Sequence, residues 1–313
     1  MKMEKLNKKL LFAPWAASNR QFSIYQGFYI PFKKIFKEVV MFDPQANIYL
    51  YGQDEMNKRL LSVVEKEKPD YIFFLISYDE LYIETLLKIK EISPESIMIN
   101  YFGDDDTQFE NFSLYYCHLF DYCLTFPQLS SAVYKREGID NIFFSSGRNL
   151  DQFKPLNLDK KYDVTFIGTP KMDRHYLLKY LYDNGINLKV FGAGWYKYSD
   201  LSKIYGGPLD DKQITKIINQ TKINLCFSKN GYGEPHLKGI VFEIGACGSF
   251  VLAEYSHKLL DFFEEDREII MFKNKEELLG KIRYYLKHEN EREKIEKKMY
   301  TKVVKKQIGR AHV

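Results

Sequence analysis

Short apolar segments alternate with amphipathic segments along the whole chain. In the first half, the apolar segments predict strands over Lys9–Pro14, Val39–Phe42, Tyr71–Ile76, Ile97–Tyr101, Tyr122–Phe126 and Asn141–Ser145. The amphipathic segments predict helices over Gly27–Phe36, Met56–Lys66, Glu80–Ile92, Phe112–Leu119 and Leu129–Glu137. Strands that alternate with helices in this way indicate βαβ units and a parallel sheet.

A polar stretch, Asn149–Lys161, interrupts this pattern and is interpreted as a linker. The alternation then begins again. Strands are predicted over Tyr162–Ile167, Leu188–Phe191, Ile223–Phe227, Phe250–Ala253 and Glu268–Phe272. Helices are predicted over Arg174–Asn184, Asp210–Thr221, Lys238–Ala246, His257–Phe263, Lys275–His288 and Asn290–Lys306.

The whole pattern predicts an α/β protein of two Rossmann-like, doubly wound domains, residues 1–150 and 160–307, that face a central cleft. The length of 313 residues supports two domains, because a single hydrophobic core seldom grows beyond about 250–300 residues. In open sheets of this kind, ligands bind at the carboxyl ends of the strands.

Charge and cysteine content narrow the function classes. The 46 basic and 42 acidic residues give a net charge of only +4, which argues against a nucleic-acid partner. Much of the excess lies in the stretch Lys294 to Lys306, which predicts a solvated helix face, with peripheral membrane contact as the alternative. The four cysteines form no CxxC pair, so no metal site is expected. The N-terminus lacks the apolar core of a signal peptide, and no apolar run spans a bilayer, so we expect a cytoplasmic protein.

The segment from Lys238 to Glu254 carries the clearest chemical signal: a helix, a glycine break and a buried strand. An anion beside the start of that helix would be favoured by its free amides and dipole, and Lys238 would add a full charge. The carboxylate of Glu243 can accept hydrogen bonds from two hydroxyls, such as those of a ribose. Gly168 and Gly192 each end a predicted strand, where glycine allows the backbone to approach a phosphate closely.

This segment resembles the donor-binding segment of GT-B glycosyltransferases, and in particular the group related to spore maturation protein CgeB, with its pattern K-x-R-x-F-E-x-x-A-C-G-G-F-L-L-x-E. The matching residues are Lys238, Phe242, Glu243, Ala246, Cys247, Gly248, Phe250, Leu252 and Glu254. Ile240 and Ser249 depart from the pattern. Further similarities are Phe166-Ile-Gly168 with Arg174, Gly192-Ala-Gly-Trp195, Asn224-Leu-Cys-Phe-Ser228 and Tyr101-Phe-Gly-Asp-Asp105. The resemblance covers residues 160–305 well and residues 1–150 thinly.

The resemblance implies a hexosyltransferase that moves a sugar from a nucleotide-diphosphate sugar to an acceptor hydroxyl, with no cofactor and no metal. Glu243 would hold the donor ribose, and Lys238, Gly248 and Ser249 would face the diphosphate. The turn from Gly192 to Trp195 would line the base pocket. The remaining donor-binding candidates are Gly168, Arg174 and His236.

The stereochemical outcome stays open. Retaining members pair the ribose glutamate with another glutamate eight positions earlier, which here is Pro235, with Glu234 beside it.

Asp104, Asp105 and Asp106 form the strongest acidic cluster, directly after a predicted strand. In order of preference, the cluster caps a helix, contacts the acceptor or takes its hydroxyl proton, or holds Mg²⁺ or Mn²⁺. Asp104 and Asp105 are therefore the catalytic candidates, and no metal is assigned. Ser18-Asn-Arg-Gln21 follows the first strand and is an unspecific candidate for acceptor contact.

Two other functions are compatible with the same residues: a nucleotide-sugar epimerase of GT-B fold, and a non-catalytic protein that binds a nucleotide or sugar. A Rossmann oxidoreductase is disfavoured, because no GxGxxG follows the first strand of either half. The helical pattern stops near Gln307, and Ile308–Val313 matches the translation of a common sequencing adapter. We therefore expect residues 308–313 to be a non-native tail on a truncated gene.

Overall fold

The computed structural model describes residues 4–15, 25–76, 78–126, 129–145 and 149–307. The chain divides into two compact units, one up to residue 145 and the other from residue 146 onwards. Each unit has its own sheet, and all strand pairs within both sheets are parallel. The non-native tail predicted for residues 308–313 lies outside the described residues.

The sheet of the N-terminal unit has the strand order β2-β1-β3-β4-β5-β6. Its strands are β1 (Leu6–Pro14), β2 (Phe36–Met41), β3 (Tyr71–Leu75), β4 (Ile97–Phe102), β5 (Tyr122–Thr125) and β6 (Ile142–Phe144). Its α-helices are α1 (Ile30–Ile35), α2 (Pro44–Tyr51), α3 (Gln53–Glu67), α4 (Ile83–Ile92), α5 (Asp105–Gln108), α6 (Leu114–Tyr116) and α7 (Ser131–Arg136). Tyr25–Tyr29 and Phe109–Ser113 form π-helical turns, and Cys117–Leu119 forms a 3₁₀ turn.

The sheet of the C-terminal unit has the strand order β11-β10-β9-β7-β8. Its strands are β7 (Tyr162–Ile167), β8 (Leu188–Phe191), β9 (Thr221–Cys226), β10 (Val251–Glu254) and β11 (Ile270–Phe272). Its α-helices are α8 (Arg174–Asp183), α9 (Asp211–Asn219), α10 (Gly239–Ala246), α11 (His257–Leu260), α12 (Lys275–Lys287) and α13 (Glu289–Thr301). Trp195–Lys197 and Ser199–Leu201 form 3₁₀ turns, and Lys302–Gln307 forms a π-helical turn.

Both sheets reverse their strand order at one point. The first strand of each unit lies between the second and third strands: β1 lies between β2 and β3, and β7 lies between β8 and β9. The chain therefore continues to one side of the first strand and later returns to its other side. Such a switch point opens a crevice at the carboxyl ends of the two central strands, where ligands of doubly wound proteins bind. In the C-terminal unit this crevice lies between β7 and β9.

The segment predicted as a linker is instead packed onto α9. The amide of Leu156 donates to Asn219 Oδ1 (2.7 Å), and Thr215 Oγ1 donates to the carbonyl of Gln152 (3.3 Å). The side chain of Phe153 is buried. These contacts attach the polar stretch to the C-terminal unit. A sequence pattern of proline and charged residues does not reveal this attachment.

Candidate functional site

The turns that follow β7 and β8 are locked together at the carboxyl edge of the second sheet. Gly192 has φ +126°, and a Cβ on it would lie 2.2 Å from the carbonyl oxygen of Gly168. The same carbonyl accepts a hydrogen bond of 2.5 Å from the indole Nε1 of Trp195. Because the Trp195 ring is 1% exposed, the backbone of this turn is the part that can reach a ligand.

Arg174 is the first residue of α8, and its side chain binds the backbone of the turn after β7. Its Nη1 donates to the carbonyl of Thr169 (3.0 Å), and its guanidinium lies 5.6 Å from the ring centroid of Phe166. Burial lowers the pKa of Arg174. The guanidinium of Arg174 is therefore buried within the C-terminal unit, in contact with the loop after β7.

Lys229, three residues after the end of β9, joins three of these loops. Its Nζ lies 3.0 Å from Glu254 Oε1, at the end of β10, and it also donates to the carboxylate of Asp173 in the loop after β7. Glu254 Oε2 accepts the amide of Ser228 (2.9 Å). Burial opposes the charge on Lys229, but its hydrogen bonds to Asp173 and Glu254 prevail and raise its pKa. Sequence reasoning missed this network; its one signal was a Ser-Lys pair just past a buried strand.

The loop between β9 and α10 folds back on itself. Asn230 is buried, and its Oδ1 accepts the amides of Tyr232 (2.9 Å) and Glu234 (3.0 Å). The amide of His236 donates to the carbonyl of Ser228 (3.0 Å). The hairpin therefore carries His236 back to the end of β9, while the side chain of Glu234 is exposed.

Polar atoms around this edge are buried without a partner in the described part of the chain. They are Asn230 Nδ2, Asp173 Oδ1 and Ser256 Oγ, on the loops after β9, β7 and β10 respectively. A buried polar atom left unpaired costs about 1–3 kcal/mol. Such atoms gathered at a switch point are therefore typical of a site that binds a polar ligand.

Four charged side chains act electrostatically on Cys226, the last residue of β9. Burial raises the pKa of the Cys226 thiol to about 12; the charges of Arg174 and Lys238 oppose this rise, and those of Glu254 and Glu243 reinforce it. Charges act more strongly on a buried group than across water, because the protein interior screens them less. Three residues predicted from sequence, Arg174, Lys238 and Glu243, therefore act on the buried end of β9, as does Glu254.

Lys238 and Glu243 occupy the beginning and the middle of α10. Lys238 is the residue at which α10 begins, and Glu243 lies about one turn further along. Both side chains are partly exposed. The amide end of α10 and the ammonium group of Lys238 therefore lie at the same carboxyl edge of the sheet as the Lys229 network.

Gly248 and Ser249 lie at the opposite end of α10. The helix has eight residues and is about 12 Å long. It leads from the carboxyl end of β9 to the amino end of β10, so its last turn reaches the other edge of the sheet. Ser249 is 1% exposed, and its amide donates to Ile244 (3.2 Å). The structure therefore does not bring Gly248 and Ser249 together with Lys238, as a shared diphosphate contact requires.

The two catalytic candidates follow β4 in the N-terminal unit and differ in accessibility. Asp104 is exposed, and its carbonyl accepts the amide of Thr107 (3.0 Å). Among the described residues, its carboxylate makes no capping hydrogen bond to α5. The predicted side-chain cap is therefore not made by Asp104, because the bond from Thr107 to its carbonyl is the first hydrogen bond of the helix itself.

Asp105 is 1% exposed and lies inside the N-terminal unit. Its carboxylate accepts hydrogen bonds from Thr125 Oγ1 (2.8 Å), the hydroxyl of Tyr134 (2.5 Å) and Ser113 Oγ. Burial raises the pKa of Asp105, against the lowering effect of these three hydroxyls. This geometry gives Asp105 a structural role in joining β5 and α7 to the end of β4, and its catalytic role stays a prediction.

Other predicted features have no described geometry. The candidate acceptor loop Ser18–Gln21 and the side chain of Asp106 lie outside the described residues. Within the part of the chain that is described, no three His, Cys, Asp or Glu side chains are grouped as a metal site would require. In the same part, none of the helices combines the length and apolarity needed to cross a bilayer.

Part of the second unit matches a protein-family model. Residues 174–310 match a family model described as "Glycosyl transferase-like". Comparison with the sequences of curated proteins gives no significant match. The family match spans α8 to α13 and therefore includes the loops that carry Lys229, Lys238, Glu243 and Glu254.

The fold is similar to that of several solved structures. Anabaena HepE in complex with UDP and glucose has 12% identity, a TM-score of 0.65 and 96% coverage of both chains. Sucrose-phosphate synthase from Thermosynechococcus elongatus has 11% identity and a TM-score of 0.63, over 96% of this chain and 95% of the other. A UDP-N-acetylglucosamine 2-epimerase has 11% identity and a TM-score of 0.56, over 93% and 91%. The predicted GT-B fold is thereby confirmed.

Proposed function

We propose that this GT-B protein, whose C-terminal unit matches the glycosyl transferase-like family, moves a hexose from a nucleotide-diphosphate sugar to an acceptor hydroxyl. The observation that carries the proposal is the position of charged residues at the carboxyl edge of the second sheet, within the family-matched region. Arg174 begins α8 beneath the loop after β7, Glu254 ends β10, and Lys238 and Glu243 lie at the start and middle of α10. We further propose the CgeB-related group as the branch of the family, on the pattern between Lys238 and Glu254.

In this proposal, different groups at the carboxyl edge of the second sheet bind different parts of the donor. Glu243 accepts the two ribose hydroxyls, because a carboxylate offers acceptors on both oxygens. Lys238 and the amide end of α10 face the diphosphate, where a helix dipole favours negative charge. The backbone turns at Gly168 and Gly192 approach the nucleotide closely, since neither position carries a side chain. A UDP-sugar is the first donor to test, because the HepE structures hold UDP and UDP-glucose.

Catalysis follows from positioning and electrostatics. The bond between the anomeric carbon and the diphosphate breaks while the acceptor oxygen forms its bond, and negative charge grows on the departing diphosphate. Lys238 and the α10 amides would stabilise that charge from the start of the helix, and no cofactor or metal enters the proposal. Asp104, the accessible carboxylate after β4, is the candidate for receiving the acceptor proton. We propose the cytoplasm as the site of the reaction, in keeping with four buried, unpaired cysteines.

The test is donor binding and turnover with the single change Glu243→Ala. Calorimetric titration with UDP, GDP and dTDP identifies the base, and hydrolysis of the corresponding sugar nucleotides reports turnover. We expect Glu243→Ala to weaken nucleotide binding by about 10- to 100-fold, the value of hydrogen bonds to a charged group. Glu276→Ala, an exposed glutamate of α12, is the matched control and should leave binding unchanged. Equal affinities for the wild type and Glu243→Ala would refute the site.

Epimerisation is the second candidate, because a UDP-N-acetylglucosamine 2-epimerase shares the fold over 93% of this chain. The two reactions differ in their need for an acceptor. An epimerase converts its sugar nucleotide to the epimer without an acceptor, whereas a transferase releases free nucleoside diphosphate. Nuclear magnetic resonance of the products formed without an acceptor separates the two reactions.

A further inference from the structure

A shallow groove of about 330 Å³ lies on the C-terminal unit, between α13 and the turn that precedes β11. Its lining consists of Arg267, Glu268, Lys294, Lys297, Lys298, Thr301 and Lys302. The groove is thus bounded by five cationic side chains and a single carboxylate. It involves none of the residues assigned to donor binding.

The lysines of the groove share one face of α13 and its continuation. Lys294, Lys298 and Lys302 follow one another every four residues, and Lys297 lies three residues after Lys294, the spacings that place side chains on one helical face. The opposite face packs inward through Ile295 and Met299. The positive charges are therefore held together by the fold, although like charges at this spacing repel one another.

Few of these charges are neutralised within the described chain. Lys302 pairs with Glu268 (3.1 Å), and Arg267 pairs with Glu264 (2.6 Å). Lys294, Lys297 and Lys298 form no ion pair among the described residues, and all three are exposed. A rigid face that keeps three unpaired ammonium groups within about 6 Å of helix length has a strong local field.

We propose that this lysine face docks on the surface of a membrane that contains acidic phospholipids. The charge complements phosphate headgroups, and the face spreads over two structural elements, as contact with a surface requires and a single bound ion does not. The lining contains no aromatic or aliphatic residue, so the groove offers neither a stacking surface for a base nor a pocket for an acyl chain. The contact is therefore electrostatic, with the protein lying on the headgroups.

Docking of this kind would bring the transferase to acceptors carried at a membrane. The inference itself stands on the lysine face alone and does not depend on the donor site. A failure of nucleotide binding would leave vesicle binding unaffected, so the two proposals are separable.

The test is co-sedimentation of the full chain with phosphatidylcholine vesicles and with vesicles that also contain phosphatidylglycerol. The variant is Lys294→Gln, Lys297→Gln and Lys298→Gln together, which removes three charges and keeps good helix formers. Lys302 stays unchanged because its ion pair joins α13 to the turn before β11. The control removes the same charge at three exposed lysines elsewhere on the unit, Lys203, Lys212 and Lys287.

We expect the wild type and the control to sediment with acidic vesicles only, and to be released as salt screens the charges. Each lysine near an acidic surface contributes about fivefold in affinity, so the triple variant should bind about 100-fold more weakly. Its turnover with a soluble donor and its circular dichroism should match the wild type.

Three results would overturn the inference. These are equal vesicle binding by the wild type and the triple variant, no binding of the wild type to acidic vesicles at low salt, and retention of the wild type on heparin without binding to vesicles. The last result would assign the face to a soluble polyanion.

Discussion

Replacement of Gly192 by alanine probes the contact on which the geometry of the candidate site depends. The added Cβ would lie 2.2 Å from the carbonyl oxygen of Gly168 and 2.8 Å from its carbonyl carbon. Both are backbone atoms, so no side-chain rotation relieves the overlap. The turn after β7 must move, and with it the acceptor of the Trp195 indole hydrogen bond.

The destabilisation can be built from three contributions. Alanine at φ +126° costs about 1–2 kcal/mol in backbone strain. Displacing packed backbone costs about 1–3 kcal/mol, and the Trp195 hydrogen bond is worth about 0.5–1.5 kcal/mol. The expected loss for Gly192→Ala is therefore about 3–6 kcal/mol in the free energy of unfolding. Gly185→Ala serves as the reference for a positive-φ glycine without a steric contact, since Gly185 has φ +78° with nothing within 4 Å of its added Cβ.

Urea unfolding followed by tryptophan fluorescence measures this difference. The chain has two tryptophans, so a Trp15→Phe background leaves Trp195 as the reporter of the C-terminal unit. We expect Gly185→Ala to lose about 1–2 kcal/mol and Gly192→Ala to lose at least about 2 kcal/mol more. Nucleotide affinity should fall in Gly192→Ala alone, because only that change displaces the turn at the site.

Equal losses for the two glycine variants would refute the reasoning. That result would mean that the close approach of Gly192 to Gly168 relaxes without cost. Normal nucleotide binding by a strongly destabilised Gly192→Ala would refute the second part, since the displaced turn would then have no contact with the donor.

Two further changes test the network at the strand ends and the buried carboxylate. Lys229→Met should weaken nucleotide binding about tenfold, because Lys229 ties the loop after β7 to the end of β10 beside the proposed donor site. The free energy of unfolding should fall by only about 1–2 kcal/mol, since Glu254 keeps its Ser228 hydrogen bond and Asp173 is 39% exposed. An unaltered dissociation constant in calorimetry would argue against this positioning role. Because burial raises the pKa of Asp105, the folded chain binds this proton more tightly than the unfolded chain, so stability falls as pH rises from about 4 through the raised pKa. Asp105→Asn removes this fall. Denaturation across that pH range should therefore show the free energy of unfolding of the variant rising relative to that of the wild type as pH increases. A difference in free energy that does not vary with pH would contradict the prediction.

Local pattern was sufficient for most of the fold. The predicted bounds of β7 and β8 coincide with those in the structure, because each is a mainly apolar run that follows a polar residue and ends at a glycine, Gly168 or Gly192. Helix α2 was missed, since it directly precedes α3 and its apolar residues, including Tyr49 and Leu50, are exposed. Its start is marked by Pro44 and by Asp43, whose Oδ1 accepts the amide of Ala46 (2.9 Å).

The site was only partly predictable. Lys238 and Glu243 are five residues apart on one helix, so a motif places them together. Lys229 and Asp173 are 56 residues apart, and their pairing depends on β7 and β9 being neighbours in the sheet. A linear motif also suggested that Gly248 and Ser249 share the site of Lys238, whereas the direction of α10 separates them.

The amino-acid sequence by itself determined the alternation of strands and helices, the division into two units, and the resemblance that marks Glu243. These follow from local periodicity and short motifs, which depend on neighbouring residues alone. The tertiary structure decided which strands are adjacent, and therefore that Lys229, Asp173 and Glu254 meet at one edge while Asp105 is buried. Strand order is set by packing between distant segments, so no local pattern encodes it.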